Sequence, residues 1–164
     1  PEDLRDRSCV LFESAQESDL LRGRCIEGFA AASVYATCRT ASVSRTLEEI
    51  VAAASADADE LKVAYGALNR ALDLPTGPID PAEYLARFAS KLDVPTDIER
   101  AARRLAAEAR ESGLATGRNP SGVAAACLYT AARRGGYDLT QREASDVAGV
   151  SAVTVRNTYQ DLRE

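Results

Sequence analysis

Hydrophobic and polar positions recur with helical spacing along most of this chain. In PAEYLARFASKL (81–92), Tyr84, Leu85, Phe88 and Leu92 share one face of a helix, and charged residues take the other. A helix is expected over 95–112, opened by Pro95 and stopped near Gly113. Another follows over 119–133, stopped by Gly135 and Gly136. Thr140-x-x-Glu143 is a capping box that starts a further helix, and Gly149 breaks the chain before a last one from 152 onward. The segment 117–133, GRNPSGVAAACLYTAAR, is different in kind: its Ala, Ser, Cys and Gly residues lie on all sides. Such a helix belongs at the centre of a bundle, because small side chains let neighbours approach every face.

The same helix is written earlier. Residues 23–39 read GRCIEGFAAASVYATCR, with Gly, Arg, Gly, the Ala triplet, Tyr and Arg each displaced by 94 positions. The match runs on without a gap: Pro1 falls on Pro95, Leu20 on Leu114, Thr46 on Thr140, Glu49 on Glu143, Tyr65 on Tyr159 and Leu68 on Leu162. Two copies of one domain follow from this. DLPTGPIDP (73–81), with three prolines and a glycine, suits a short stiff linker. The expected organisation is a first repeat over 1–74, a linker over 75–80 and a second repeat over 81–164. The first repeat is expected to be truncated, since its counterpart of 80–94 would precede residue 1.

Composition supports helices. Ala dominates, and three Phe and six Tyr are the only aromatics in 164 residues, which disfavours a β-sandwich. No apolar run nears the roughly 18 residues that a membrane span needs, so a soluble, cytoplasmic protein without membrane contact is expected. Histidine is absent and Cys9, Cys25, Cys38 and Cys127 form no C-x-x-C pair, which argues against zinc. The cysteines are expected as small buried residues, with a Cys25–Cys38 disulfide as the alternative. Net charge is −5, and only Lys62 and Lys91 among 20 basic residues are lysines. Residues 1–79 carry the whole acidic excess, with 8 basic and 13 acidic side chains. An Arg-rich, Lys-poor acidic chain fits adaptation to high salt, although a GC-rich genome also favours Arg.

Chemistry concentrates in TQREASDVAGVSAVTVRNTYQDL (140–162). It has the cadence of a helix-turn-helix: a capped first helix, small Ser145 at the crossing, Gly149 in the turn and Ser151 capping the second helix. With Val150, Val155, Tyr159 and Leu162 on the packing side, Val153, Arg156 and Asn157 face outward where base contacts are usually made. Arg142 is a candidate phosphate contact. The first copy has Ser55 in place of Gly149, and Asp57, Asp59 and Glu60 open its second helix. Those carboxylates suit the helix dipole but repel phosphate, so that surface is assigned to solvent or to protein.

Taken together, GRCIEGFAAASVYATCR, RTLEEI, GRNPSGVAAACLYTAAR and TQREASDVAGVSAVTVRNTYQDL resemble the core of archaeal transcription factor B, counterpart of the eukaryotic general transcription factor IIB. The resemblance covers essentially the whole chain, and the composition suggests a haloarchaeal member. It implies an all-α fold of two tandem cyclin-like five-helix repeats, the first lacking its N-terminal helix and the second ending in a helix-turn-helix. The implied partners are the TATA-binding protein, promoter DNA and, through the full-length factor, RNA polymerase. The implied protein acts as a monomer, promoter-associated in an archaeal cell. The implied zinc ribbon belongs to an N-terminal region outside this chain, which itself needs no cofactor. Val153 and Arg156 match positions that read the B recognition element upstream of the TATA box, and outward-facing Asn157 joins them as a base-reading candidate. Contacts with the DNA backbone or the TATA-binding protein are implied for Arg24, Arg118, Arg142, Thr140 and Ser151. For Arg24 and Arg118, in matching Gly-Arg loops, local pairing at a helix start is the competing reading. The family commonly places lysines near Ala58 and Asp59, and this chain departs from that pattern.

The competing function is a cyclin-type regulator that binds protein and never touches DNA, since one fold can serve either. The chain offers no nucleophile motif and no phosphate-binding glycine loop, so catalysis has no assignable residue.

Overall fold

The computed structural model describes residues 2–163, and these are all-helical, with nine α-helices. They are α1 (Glu2–Glu17), α2 (Ile26–Thr40), α3 (Leu47–Ala53), α4 (Ala58–Leu72), α5 (Ala82–Lys91), α6 (Thr96–Glu111), α7 (Pro120–Arg134), α8 (Gln141–Ala148) and α9 (Ala152–Asp161). The chain divides into two compact units, Pro1–Pro78 and Ile79–Glu164. Displacing α1 and α2 by 94 residues reproduces both bounds of α6 and α7, and the starts of α3 and α4 give those of α8 and α9.

The repeat is visible in individual contacts. Thr46 accepts from the Glu49 amide while the Glu49 carboxylate accepts from the Thr46 amide, and Thr140 and Glu143 do the same. Tyr35 meets Tyr65 edge to face with ring centroids 5.0 Å apart and planes at 77°; Tyr129 meets Tyr159 at 5.0 Å and 75°. Two equivalent glycines mark where the small-residue helix is crossed. A Cβ on Gly28 would lie 3.0 Å from the Glu60 carbonyl oxygen, and one on Gly122 would lie 3.1 Å from the Thr154 methyl.

The units differ in how completely the central helix is covered. In the second unit every residue of α7 from Ser121 to Ala132 is buried. There α5 stacks Tyr84 on Phe88 and presses them with Leu85 into a single continuous core shared with α6, α7, α8 and α9. In the first unit the core falls into two clusters, around Phe29 and Leu68 and around Tyr35 and Leu61. Ala30 and Val34 of α2 are exposed, whereas their counterparts Ala124 and Leu128 are fully buried. They line an open apolar groove of about 780 Å³ with Leu4, Ser8 and Phe12 of α1 and Ile50 of α3. The central-helix expectation therefore holds around the full circumference of α7 but on only part of α2.

Local details correct two expectations, the opening of α6 and the burial of the cysteines. Pro95 precedes α6 as its N-cap, in an extended conformation, and Thr96 is the first helical residue. Cys9 is exposed and Cys25 half-buried; only Cys38 and Cys127 are buried, and all four are free thiols. Cys25 has taken over a polar task, since its sulfur accepts from the Gly28 amide as the N-cap of α2, where Asn119 caps α7 in the second unit. Burial pushes the Cys127 thiol up to about 12, so it stays neutral. After α4, Tyr65 donates to Thr76 (3.3 Å), Thr76 donates to Asn69 (3.1 Å) and Arg39 donates to the Gly77 carbonyl, which ties residues 76–77 to the first unit.

Candidate nucleic-acid interface

The helix-turn-helix of the second unit is assembled from short-range bonds. Gly149 ends α8 in the left-handed region at φ +64°, a conformation glycine adopts without steric cost. Its amide returns to the Asp146 carbonyl and that of Val150 to Ser145, which satisfies the last turn of α8. Ser151 caps α9 by accepting from the Thr154 amide. In the first unit the equivalent of Gly149 is Ser55, and α3 ends in extended backbone at Ala54 instead. The turn therefore runs over four residues, 54–57, rather than three, 149–151.

α9 is held along its inner face. Val155 is fully buried, Thr158 is buried, and Val150, Tyr159 and Leu162 pack against the core. The Ser121 hydroxyl donates to the Ala148 carbonyl at 3.0 Å, fixing the turn to the start of α7. Val153, Arg156 and Asn157 are left exposed on the opposite face, Val153 at 52%. Among the described residues the Arg156 and Asn157 side chains make no hydrogen bond or ion pair. An apolar group, an unpaired guanidinium and a carboxamide thus lie together on one solvent-facing surface.

The remaining candidates divide into engaged and available groups. Thr140 and Ser151 act as caps, the Thr140 hydroxyl also donating to Glu143 at 2.6 Å. Those bonds from the Thr140 hydroxyl and amide hold the Glu143 carboxyl below its ordinary value of 4.5. Arg142 is 90% exposed and 3.9 Å from Asp146, an ion pair that competes weakly with a phosphate. Arg24 is exposed and donates to the Leu20 carbonyl at 2.8 Å. Arg118 donates to Thr158 at 3.3 Å and to Asp161 at 2.7 Å, both on α9. Sequence reasoning left Thr158 and Asp161 out of the site. The repeat held the signal, because their counterparts Ala64 and Ala67 are apolar and buried.

The corresponding face of the first unit is chemically different. Val153, Arg156 and Asn157 fall on Asp59, Lys62 and Val63. Lys62 lies 3.7 Å from Asp59, so the single cation there faces its own carboxylate. Asp57 accepts from the amides of Asp59 and Glu60, and Glu60 accepts from the Asp57 amide, so two of the three carboxylates close a capping box. Among the described residues no group of Cys, Asp or Glu side chains is arranged to hold a metal ion, and no helix is long and apolar enough to cross a membrane.

Fold and site together define a class: tandem all-helical repeats of one design, the second closing in a capped helix-turn-helix with an open polar face. The transcription factor TFIIB repeat model matches residues 1–71 and again 75–164. Transcription initiation factor IIB 1 of Halobacterium salinarum is 60% identical over 161 residues, covering 98% of this chain and 56% of its own length. Transcription initiation factor IIB of Methanococcus maripaludis is 44% identical over all of this chain and 48% of its own length. The protein of the same name from Methanocaldococcus jannaschii is 43% identical over 24% of its length. The chain belongs to the transcription factor IIB family, as two tandem cyclin-like repeats, and these relatives are archaeal. It spans about half the length, or less, of these curated relatives.

Proposed function

We propose that this chain is the promoter-binding core of a general transcription initiation factor. It binds the TATA-binding protein on promoter DNA and reads bases upstream of the TATA box with α9. The observation that carries this reading is the outward triad of Val153, Arg156 and Asn157. It stands on a helix fixed from behind and capped at its N-terminus, with an Arg156 guanidinium that has no partner among the described residues. Arginine can donate two hydrogen bonds to a guanine edge, and a valine can pack on a thymine methyl. Arg142, at the start of α8, would meet the phosphate backbone, which positions without reading sequence. Arg24 is the candidate contact of the first unit with backbone or TATA-binding protein. Recruitment of RNA polymerase would fall to the full-length factor, with these repeats as its anchor on the promoter.

The chain's net charge of −5 does not oppose this, because the charge that matters is local, although non-specific DNA affinity should be weak. The test is a titration of TATA-binding protein on TATA-containing DNA with and without the chain. A slower-migrating complex that tightens TATA-binding protein on the DNA supports the reading. A chain that leaves that complex unchanged while pulling down a protein partner would favour the cyclin-type regulator.

A further inference from the structure

We infer that Arg118 is a positioning residue for base reading: its fork between Thr158 and Asp161 sets the rotation of α9. This rests on the reading of α9 as the base-reading helix. α9 has ten residues, too few to be stable alone in water, so its direction depends on what holds it. Near its N-terminus the Thr154 methyl sits over Gly122, and in its last turn the Tyr159 ring meets the edge of Tyr129. Methyl and ring contacts tolerate a small rotation. A planar guanidinium held on two acceptors, one per nitrogen, does not. Arg118 makes that fork from the loop ahead of α7, 3.3 Å to Thr158 and 2.7 Å to Asp161, one helical turn apart on α9. At a helix surface roughly 5–6 Å from the axis, a turn of about 20° moves a side chain by about 2 Å. Recognition geometry tolerates only about 0.5 Å and 10–20°.

The first unit supplies an independent comparison. Arg24 occupies the equivalent loop, but Ala64 and Ala67 replace the two acceptors, and Arg24 turns back to the Leu20 carbonyl. The fork is present where the outward face is Val153, Arg156 and Asn157 and absent where it is Asp59, Lys62 and Val63. Its two charged partners are 37% and 42% exposed, and an ion pair so exposed contributes little to stability. Geometry is therefore the larger part of what it supplies.

The test compares affinity for a preferred and a scrambled upstream flank, with TATA-binding protein present, for the wild type, Arg118→Ala and Asp161→Ala, the latter carrying the residue found at the equivalent Ala67. The two substitutions change local charge in opposite senses, so a charge effect would move overall DNA affinity in opposite directions. A positioning effect lowers discrimination in both. We expect the preferred-to-scrambled ratio to fall about fivefold or more in each, with unfolding midpoints near that of the wild type. Arg118→Lys, which keeps the charge but not the fork, should also lose discrimination, and with Asp161→Ala it carries the test if Arg118→Ala folds poorly. Uniform weakening on both flanks by Arg118→Ala, with the ratio kept, would assign Arg118 to a direct phosphate or protein contact and overturn the inference. So would an unchanged ratio in Asp161→Ala. A wild-type chain with no flank preference defeats the reading of α9 itself, and this is seen before any variant is measured.

Discussion

α4 and α9 begin at equivalent positions of the two repeats and cross equivalent glycines, yet they present opposite chemistry to solvent. α9 shows Val153, Arg156 and Asn157, the guanidinium unpaired among the described residues. α4 shows Asp59, Lys62 and Val63, with the cation beside its own carboxylate. The caps, the tyrosine pair and the small-residue helix are shared, so the fold does not set the two outward faces apart. Three outward side chains and two acceptors for one arginine make the difference. A duplicated scaffold can thus keep its buried contacts while its exposed positions take on different tasks.

The comparison can be broken most forcefully at α5. Phe88 is fully buried and stacks on Tyr84 in the second unit, where the first unit has an open groove. Phe88→Ala should cost about 3–5 kcal/mol of stability, measured by denaturant unfolding. Hydrogen exchange should then show α6 and α7 opening as readily as α1 and α2 do in the wild type. Equal protection of α2 and α7 in the unsubstituted chain would contradict the difference in core continuity.

A smaller effect separates the two crossing glycines. Alanine raises helix propensity by roughly 1 kcal/mol over glycine, so only the crossing contact opposes the change. At Gly28 that contact is the Glu60 backbone, which cannot turn away, and Gly28→Ala should destabilise by about 1–2 kcal/mol. At Gly122 it is the Thr154 methyl, a side-chain group that can shift, and Gly122→Ala should stay within about 1 kcal/mol of wild type. Equal costs in thermal unfolding would mean that the two crossings are not the same contact with different neighbours.

The smallest effect concerns pH. The folded-state carboxyl of Glu143 titrates below 4.5 because Thr140 donates to its charged form, first from the hydroxyl and then from the backbone amide. A lowered folded value stabilises the fold at pH above the ordinary carboxylate value. That contribution is lost as pH falls through the folded value. Thr140→Val should return the Glu143 titration toward 4.5 and flatten this part of the acid unfolding curve. Carboxyl chemical shifts followed by NMR from neutral to acid pH check it, and an unmoved titration in the variant would exclude the hydroxyl as the cause.

Much of this was legible in the sequence where the cause is local or periodic. The 94-residue offset predicted helix starts because short-range signals recur: Thr46 and Thr140 with their glutamates, and the capping side chains of Asp57 and Ser151. The outward face of α9 followed from 3.6-residue spacing once Val155 and Tyr159 were placed inward. Cys25 as a helix cap was missed because thiols usually pack as apolar groups; its alignment on Asn119 was the available signal. The Arg118 fork was missed because it joins residues 40 and 43 positions apart, beyond any local rule. The groove beside α2 depends on what covers a face, and periodicity shows only that a face is apolar.

The central claim is that the second repeat reads bases and the first does not. A binding selection on randomised flanks upstream of the TATA box, with TATA-binding protein present, tests it directly. Arg156→Ala should lose about 1–3 kcal/mol of discrimination at one base position. Arg142→Ala should weaken all sequences about equally, and Lys62→Ala should select the same bases as wild type. If Arg156→Ala recovers the wild-type flank unchanged, or Lys62→Ala alters it, the second repeat is not the reader.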